Sequence, residues 1–523
     1  MKTSAIQVGP APPDLPSWLA SSEALRPVLL AESRSALDAF DAAHPEHTKD
    51  DMRITYFVTW GPDMQQRVQT ALEGAPDTLT AESLLPPAGA VLASGAAPAA
   101  LSDAQSQHCA LITHVCALPS RPDPPVHLLV RGAPRHNAGA KSSEWVKQRA
   151  GLEALLHAGS KPLEEIVLHT EEGGLLEGLS TNVATVTGGG VVTPHDGILH
   201  GTVREVLLEA VQAAGIRIYL TAPSVGHMAA CTGVAVSSTS RLALPGSTLA
   251  LPVAMLQAAC AAQETDSELH ALTKRCTAAW LDAVTAAPAS AAASSEGEGG
   301  GSQVAPPLLQ AELGNIFESS TPGVLHMPHP SGDGGSFVFV NPPPGSSSPP
   351  LSKADLAGMS AEQADTLPRM RYRVKLASDP TQHSALDFFT TQVPPSYRDA
   401  GVAGKLAQAA LDTTAALGAR AKPTCSYLHA TYVPRHLGYM DVVTEVTADM
   451  QQAAEEALRA AAGEGAGSQT PARLGQLQPS QVSMQTSQEY DGHVQVVFSL
   501  SPVSQLLAAM VQAQVQSHSA RVR

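Results

Sequence analysis

The chain has 523 residues, a length that allows about three domains. Its formal net charge is −16, and only 15% of its residues are charged, which is below the average of about 25%. A pI near 5.6 and the lack of a basic block argue against general binding to the nucleic-acid backbone, and no apolar run reaches the roughly 18 residues of a transmembrane helix. Six cysteines without a C-x-x-C pair argue against a disulfide framework or a zinc site. We expect a soluble intracellular protein, in the cytoplasm or an organelle such as a plastid.

The first half of the chain predicts a mixture of helices and strands. Apolar residues at helical spacing predict a helix over 22–43, and an Ala/Pro-rich stretch at 85–101 predicts a loop. Further helices are predicted over 146–159, from Thr202 onward and over 265–286. Strands are predicted over 52–60, 109–115, 125–130, 165–170, 182–187, 190–194, 216–220 and 234–238.

Low-complexity segments divide the chain. Residues 286–306 have nothing to bury and predict a flexible, disordered linker between a domain at 1–285 and a domain at 307–460. The second domain has a loop insert at 341–350, and we expect residues 461–523 to be a low-complexity tail with a terminal strand and helix. The fold class is a multidomain α/β (α+β) protein. Within the second domain we expect strands over 369–379 and 385–394, a helix over 402–418 and a short strand around 425–428.

The first half carries residue types that suit pyridoxal phosphate. A lysine such as Lys141 forms a Schiff base with the aldehyde, and a carboxylate such as Glu177 keeps the pyridine nitrogen protonated. Backbone N–H groups at a helix start, here Thr202 and Val203, and the hydroxyls of Ser237–Ser240 would hold the phosphate. Alone, each has an ordinary interpretation as a solvated lysine, a turn glutamate or a polar strand end. The prediction therefore depends on their order and spacing.

Residues 125–255 resemble the fold-type IV pyridoxal-phosphate enzymes, which include branched-chain aminotransferases, D-amino-acid aminotransferases and aminodeoxychorismate lyases. The shared pattern is a lysine, an E-G-x-x-x-N run, a T-P followed by G-I-L-x-G-x-x-R, and a Ser/Thr cluster before a proline. In this chain the pattern is carried by Lys141, Glu177–Asn182, Thr193-Pro194 with Gly197 to Arg204, and Ser237–Pro245.

The resemblance implies roles for individual residues. Lys141 would be the Schiff-base lysine and proton shuttle, and Glu177 would lie on the pyridine nitrogen. The family's small N-terminal domain usually supplies a phosphate-binding arginine in a W-x-x-H-x-x-R-L stretch, which we do not find, and Trp145 occupies the neighbourhood of a tyrosine. These departures leave open a degenerate fold retained as a binding or interaction module. The cofactor-binding residues implied are Glu177, Asn182, Thr202, Val203, Ser238 and Thr239.

A second pattern lies between a predicted strand and the helix at 402–418. The run Arg398-x-x-Gly401-x-Ala403 points successive N–H groups at one place, where the helix dipole favours an anion, and its small residues let a pyrophosphate approach the backbone. A glycine-containing helix start is the ordinary interpretation of such a run.

Residues 370–442 resemble the compact, single-domain branch of the GNAT acyltransferases. The shared runs are Val393-Pro394, Arg398 to Asp412 and Pro423-Thr424-Cys425-Ser426-Tyr427. They imply acetyl-CoA as co-substrate, with Cys425 near the thioester, although this cysteine is equally well read as a small buried apolar residue. Thr390 replaces a usual histidine and Asp399 a usual glycine. The acetyl-CoA-binding residues implied are Arg398, Gly401, Val402, Ala403, Gly404 and Lys405.

Together the patterns predict a fusion enzyme that acts on small molecules. One half would carry out transamination or a lyase step on an amino acid or an amino-chorismate-type substrate, and the other N-acetylation. The family resemblance implies a homodimer, and we expect neither nucleic-acid nor membrane partners. His44 with His47 and His326 with His329 have metal-like spacing but no third ligand, so we predict no metal site.

Overall fold

A computed structural model describes most of the chain, which forms two compact units. One unit contains residues 1–121 with 140–148, and the other contains 122–139 with 149–523. Nearly all of the predicted linker, from 287 onward, lies outside the described residues. The described residues are 22–45, 52–60, 91–94, 109–117, 121–141, 144–158, 163–262, 267–286, 309–329, 331–375, 384–462, 474–490 and 492–522.

The first unit packs one helix on a small antiparallel sheet. Helix α1 (Ser22–Ala43) is followed by strands β1 (Met52–Trp60), β2 (Val91–Ser94) and β3 (Cys109–Ala117), in the order β1-β3-β2. Ala36 and Phe40 on the helix are buried with Val115 on β3, as their spacing on one helix face predicts. The loop expected over 85–101 is wrong at β2, because Val91 pairs with Val115 of β3, and this contact between distant residues is not visible in the local sequence.

The second unit begins with a large mixed sheet. Six of its strands form a closed ring, because β10 pairs with both β7 and β11. The pairs β4–β5, β4–β11 and β8–β9 are parallel. The elements in chain order are β4 (Val126–Val130), α2 (Glu144–Glu153, which straddles the boundary between the units), β5 (Glu165–His169), β6 (Leu175–Gly178), β7 (Asn182–Thr187), β8 (Gly190–Thr193), α3 (Thr202–Ala213), β9 (Arg217–Leu220), β10 (Cys231–Ser238), β11 (Leu242–Pro252), α4 (Val253–Ala261) and α5 (Glu268–Ala286).

The second unit also contains a separate sheet with the strand order β12-β13-β14-β15-β16-β17. It is antiparallel except for the parallel pair β16–β17. Residues 341–350 form neither helix nor strand. The elements are α6 (Leu309–Leu313), β12 (Phe317–Glu318), β13 (Val324–Pro328), β14 (Gly334–Phe339), α7 (Lys353–Ala357), α8 (Ala361–Ala364), β15 (Arg369–Lys375), β16 (Ala385–Gln392), α9 (Val402–Ala416), β17 (Arg420–Lys422) and α10 (Ala448–Ala462).

The strand expected around 425–428 is wrong. The strand ends at Lys422, and Leu428 and His429 both donate backbone hydrogen bonds to the carbonyl of Cys425, which starts a π-helical turn over Leu428–Tyr432. Backbone hydrogen bonds made within one turn stabilise a helical turn where the local composition suggests a strand.

The C-terminal segment joins the large mixed sheet of the second unit. Strands β18 (Val482–Thr486) and β19 (His493–Phe498) extend it from β11, with Leu251 opposite Val494. Helix α11 (Pro502–Val522) packs against β11 and α3. A contiguous apolar core contains residues from both halves and from this segment, among them Val234, Leu411 and Leu507.

Candidate functional sites

Asn182 lies where three strands of the large mixed sheet meet. At the start of β7 it pairs with Glu177 of β6 and with Ser237 of β10. Its side-chain amide donates to the carbonyl of Leu199 over 2.7 Å, just before α3. A Cβ on Gly201 would lie 2.2 Å from the Asn182 side-chain oxygen, so only glycine fits this approach. The structure therefore gathers the predicted glutamate, asparagine, helix start and serine cluster at one place.

The Glu177 carboxylate is buried, with 5% of the residue exposed. Its Oε2 accepts the backbone N–H of Leu199 over 3.0 Å, and its Oε1 lies 3.1 Å from Arg135 Nε but accepts no hydrogen bond from the described residues. Burial raises the pKa of Glu177 above its usual range, although the Leu199 hydrogen bond and the Arg135 charge act in the opposite direction. The carboxylate thus keeps one acceptor atom for a further donor.

Arg135 is the functional neighbour that sequence reasoning missed. Its guanidinium, with a side chain 5% exposed, forms the ion pair with Glu177 and donates to the carbonyl of Ala138. The signal was an arginine six residues before the predicted lysine, but its distance from Glu177 in sequence hid the contact.

The amino end of α3 and the end of β10 provide the expected phosphate-binding groups. Gly201 precedes the helix in an extended conformation, and the first N–H groups of a helix, at Thr202 and Val203, have no intrahelical acceptor. The Ser238 hydroxyl accepts the N–H of Arg241 over 3.2 Å. Thr239 is exposed, which makes it the weakest member of the predicted set.

Lys141 belongs to the first compact unit, where its side chain is exposed. The cluster around Asn182 belongs entirely to the second unit. The residues of that cluster fit pyridoxal phosphate: a buried carboxylate has an oxygen that accepts no hydrogen bond from the described residues, and a helix start lies beside it.

A second site lies at the amino end of α9. Gly401 caps the helix with φ +67°, and Asp399 also has φ +67°, so the chain makes a left-handed turn here that favours glycine. A cavity of about 300 Å³ opens beside this turn, at the lower end of the range for ligand pockets of about 300–1,000 Å³. It is lined by Gly401, Gly404, Lys405, Gln408, Tyr427, Thr431, Tyr432, Arg435 and His436.

Three of the six predicted acetyl-CoA residues line this cavity: Gly401, Gly404 and Lys405. The Val402 side chain is 2% exposed and packs in the core, so only its backbone could serve. Ala403 is half-buried and Arg398 is exposed, and neither lines the cavity.

The cavity wall is cationic and aromatic. Lys405 Nζ lies 5.2 Å from the centre of the Phe339 ring, and the rings of Tyr432 and His436 stack with centroids 4.1 Å apart. With Arg435 on the same wall, these groups favour an anionic ligand such as a pyrophosphate. Sequence reasoning missed Arg435 and His436, because a basic residue on a short helical turn carries no motif.

Cys425 is 8% exposed and is not among the cavity-lining residues. Its sulfur lies 3.3 Å from the Thr391 hydroxyl, and its N–H donates to the Phe388 carbonyl over 2.7 Å. The neighbouring Thr424 hydroxyl donates to Asp387 over 2.5 Å. Polar contacts from β16 therefore fix the start of the π-helical turn.

The histidines proposed for metal spacing have other partners. His326 is fully buried, with Nδ1 2.8 Å from the Asn315 carbonyl and Nε2 2.7 Å from the Tyr372 hydroxyl, and burial lowers its pKa to about 4. His329 contacts Ser331, and His47 lies outside the described residues. Among the residues that the structure describes, no group of three or more potential ligands is placed to hold a metal ion. Each helix within the described ranges is too short or too polar to cross a membrane.

Comparisons with known proteins bear on both sites. Residues 70–249 match the family model of amino-transferase class IV. Residues 360–442 match the model of GCN5-related N-acetyl-transferase. Both resemblances stated from the sequence are confirmed, and the chain has a fold-type IV aminotransferase-like domain and a GNAT-like domain. The aminotransferase family implies pyridoxal phosphate and the GNAT family acetyl-CoA.

Solved structures similar to the chain include aminotransferases. A hypothetical aminotransferase from Mycobacterium tuberculosis, in its PLP-bound form, is 24% identical over 27% of this chain and 55% of that one, with a TM-score of 0.24. The Escherichia coli branched-chain amino acid aminotransferase is 21% identical over 27% and 49%, with a TM-score of 0.23. The Thermoproteus uzoniensis branched-chain aminotransferase is 19% identical over 31% and 56%, with a TM-score of 0.25. The chain thus spans about half the length of these structures, and the comparison with curated proteins found no match.

Proposed function

We propose that this chain is a bifunctional enzyme that joins pyridoxal-phosphate-dependent amino-group chemistry to acetyl-CoA-dependent N-acetylation. The first half would catalyse transamination or a lyase step on an amino acid or an amino-chorismate-type substrate. The two family matches support an enzyme of this kind. The observation that carries the proposal is the meeting of Glu177, the α3 start and the β10 serines around Asn182.

In the first half, each residue has a distinct task. Pyridoxal phosphate, when bound, supplies an electron sink for carbanion chemistry. Glu177 would hold a proton at the ring nitrogen through Oε1, which accepts no hydrogen bond from the described residues, and the N–H groups of Thr202 and Val203 with Ser238 would bind the phosphate. Lys141 would bind the cofactor covalently and move protons. The Glu177 ion pair with Arg135 supports an ionised carboxylate despite burial.

In the second half, the cationic cavity would bind the pyrophosphate of acetyl-CoA. The N–H groups at the start of α9 point toward the same turn, and the helix dipole adds favourable potential. Cys425, held by Thr391, would lie near the thioester. We also propose that the chain forms a homodimer, as its aminotransferase resemblance implies.

The cofactor proposal is tested by an absorbance titration of the full chain with pyridoxal phosphate. We expect a near-visible band that saturates with the wild type and is lost in Lys141→Ala. Lys147→Ala is the matched control, because Lys147 is an exposed lysine that pairs with Glu144 of the same helix. A wild type without a band, or a Lys141→Ala variant that keeps it, would reject this half of the proposal.

The acyl-CoA proposal is tested by calorimetric titration of acetyl-CoA into the full chain. Gly401→Glu should abolish binding, because it places a carboxylate at the cavity mouth and strains a left-handed turn. Gly345→Glu is the control, since Gly345 has φ +85° and open space around it, as Gly401 has with φ +67°. Equal binding by wild type and Gly401→Glu would contradict the proposed site, and light scattering on the same samples tests the dimer.

A further inference from the structure

A polar cluster around the buried carboxylate of Asp412 joins the two halves of the second unit. Arg217 at the start of β9 donates to both carboxylate oxygens of Asp412 on α9, over 3.2 and 2.6 Å. The Tyr439 hydroxyl accepts from Arg217 over 2.6 Å and donates to Asp412 over 2.6 Å, and the Ser320 hydroxyl donates to Asp412 over 2.7 Å. One carboxylate thus receives four hydrogen bonds from three separate segments.

The surrounding backbone is shaped for this contact. Arg217 also donates to the carbonyl of Gly188 in the β7–β8 turn. A Cβ on Gly189 would lie 2.3 Å from the Tyr439 ring, and one on Gly438 would lie 2.0 Å from the Gly189 carbonyl oxygen. Glycines on both sides therefore permit an approach that other residues would block.

Two physical connections run from this cluster to the cavity at the α9 start. Asp412 lies on α9 itself, the helix whose first turns supply Gly401, Gly404 and Lys405 to the cavity wall. The Tyr439 ring packs 6.0 Å from the ring of Tyr432, which lines the cavity. A shift of Asp412 or Tyr439 would therefore displace residues that line the cavity.

Charge makes the arginine necessary. Asp412 is 5% exposed, and a buried carboxylate without its cation is strongly unfavourable. Burial alone would lower the pKa of Arg217, but the hydrogen bonds and charge of Asp412 hold it above the usual range, so the side chain stays cationic. Without it, an uncompensated anion would remain on the helix that binds the acyl-CoA phosphates.

We infer that the aminotransferase-like half supplies a positioning residue, Arg217, to the acyl-CoA pocket of the GNAT-like half. The inference rests on the proposed acyl-CoA function of that pocket. It makes the two halves interdependent, because the residue that orients the α9 helix lies on a strand of the other half's sheet.

The test is acetyl-CoA calorimetry on the full chain with substitutions at the pair. Arg217→Gln should weaken binding at least tenfold. Adding Asp412→Asn should restore binding to within about threefold of the wild type, because no buried charge is then left unpaired. Arg217→Lys keeps the charge but loses the bidentate hydrogen bonding, so its affinity for acetyl-CoA should lie between those of Arg217→Gln and the wild type. If Arg217→Gln does not fold, the affinity of Arg217→Lys tests the positioning role.

Arg241→Gln is the matched control. Arg241 is also a partly buried arginine, between β10 and β11 of the large mixed sheet, and it pairs with the buried carboxylate of Glu165 over 3.3 Å. The inference would be overturned if Arg217→Gln and Arg217→Lys bound acetyl-CoA with wild-type affinity. It would also be overturned if Arg241→Gln lost as much affinity as Arg217→Gln, or if adding Asp412→Asn did not restore binding. Hydrogen exchange of α9 without ligand is measured in parallel and should quicken in Arg217→Gln but not in Arg241→Gln. If the wild type binds no acetyl-CoA, the proposed function fails, and α9 exchange still decides the positioning role.

Discussion

At the residue scale, Glu177 is distinguished from other buried carboxylates by what it lacks. Glu165, 1% exposed, accepts hydrogen bonds from the backbone of Leu179 and the hydroxyl of Ser180 and pairs with Arg241, so its lone pairs are used within the protein. Glu177 has an oxygen that accepts no hydrogen bond from the described residues. Structural carboxylates are satisfied internally, and a binding carboxylate is not.

The first prediction compares these two glutamates. Glu177→Gln removes the charge that would face a protonated ring nitrogen, and loss of a charged hydrogen bond costs about 1.5–3 kcal/mol. We expect pyridoxal-phosphate affinity to fall by one to two orders of magnitude in an absorbance titration. Glu165→Gln should lower the unfolding temperature but leave cofactor affinity within threefold. Similar affinities of the two variants would argue against the assigned role of Glu177.

The second prediction concerns Asp441, which accepts hydrogen bonds from Thr232 over 3.1 Å and from the N–H of Val503 over 2.9 Å. Burial raises its pKa to about 6, although hydrogen bonds from Ser501 and Val503 and the Arg420 charge act to lower it. The folded chain therefore binds the proton more tightly than the unfolded chain. This contribution to stability is complete below the unfolded pKa and is lost as pH rises to about 6.

We expect the free energy of unfolding of the wild type to decrease between pH 4 and 6 relative to Asp441→Asn, by at most about 1.4 kcal/mol per pH unit. Urea denaturation of both proteins at several pH values measures this difference. Asp282→Asn, at an exposed position on α5, should reproduce the wild-type curve. A constant difference between wild type and Asp441→Asn across the range would rule out titration of this carboxyl.

At the element scale, two helix starts carry the candidate chemistry, and each begins at a glycine for a different reason. Gly201 has an extended conformation, but its missing Cβ leaves room for Asn182. Gly401 has open space around it, but its φ of +67° lies in the left-handed region. The first glycine is required by packing and the second by backbone conformation.

The third prediction uses that difference. Gly201→Ala forces Asn182 to move, and overpacking typically costs about 1–3 kcal/mol. We expect a lower unfolding temperature together with weaker pyridoxal-phosphate binding, since the α3 start is displaced. Gly475→Ala, where a Cβ meets open space, serves as the control in the same thermal and absorbance measurements. A Gly201→Ala protein with wild-type stability would show that Asn182 does not fix this helix start.

At the scale of the whole molecule, the C-terminal segment is part of the large mixed sheet. The β11–β19 pairing and the packing of α11 on α3 connect residues 493–522 to the helix and sheet of the candidate cofactor site. Met510 and Val511 of α11 are fully buried. Removing this segment would expose apolar surface and an unpaired strand edge.

The fourth prediction follows from that connection. A chain ending at residue 473 should lose pyridoxal-phosphate binding and most of its soluble yield, although residues 1–285 are intact. A chain ending at residue 517, which removes only the last residues of α11, should retain both. Absorbance titration and soluble yield of the two truncations provide the measurement. Full cofactor binding by the chain ending at 473 would show that the first domain folds without the segment.

The residue patterns alone determined many of the helices and strands and the family-like motifs. Helical spacing predicts α1 and α3, β-rich runs predict β1, β5 and β7, and motif order predicts Glu177, Asn182 and Gly401 as site residues, because period, turn chemistry and motif spacing are local properties of a chain. The low-complexity runs account for the low charge and the high glycine and proline content.

Only the tertiary structure decided which distant segments meet. The ion pair of Arg135 with Glu177, the cluster of Arg217 with Asp412 and Tyr439, and the joining of β19 to β11 link residues up to about 250 positions apart. One chain pattern is compatible with many long-range pairings, and burial of a shared core selects among them. The halves that the sequence divides at a linker are therefore joined by the contacts that hold both candidate sites in place.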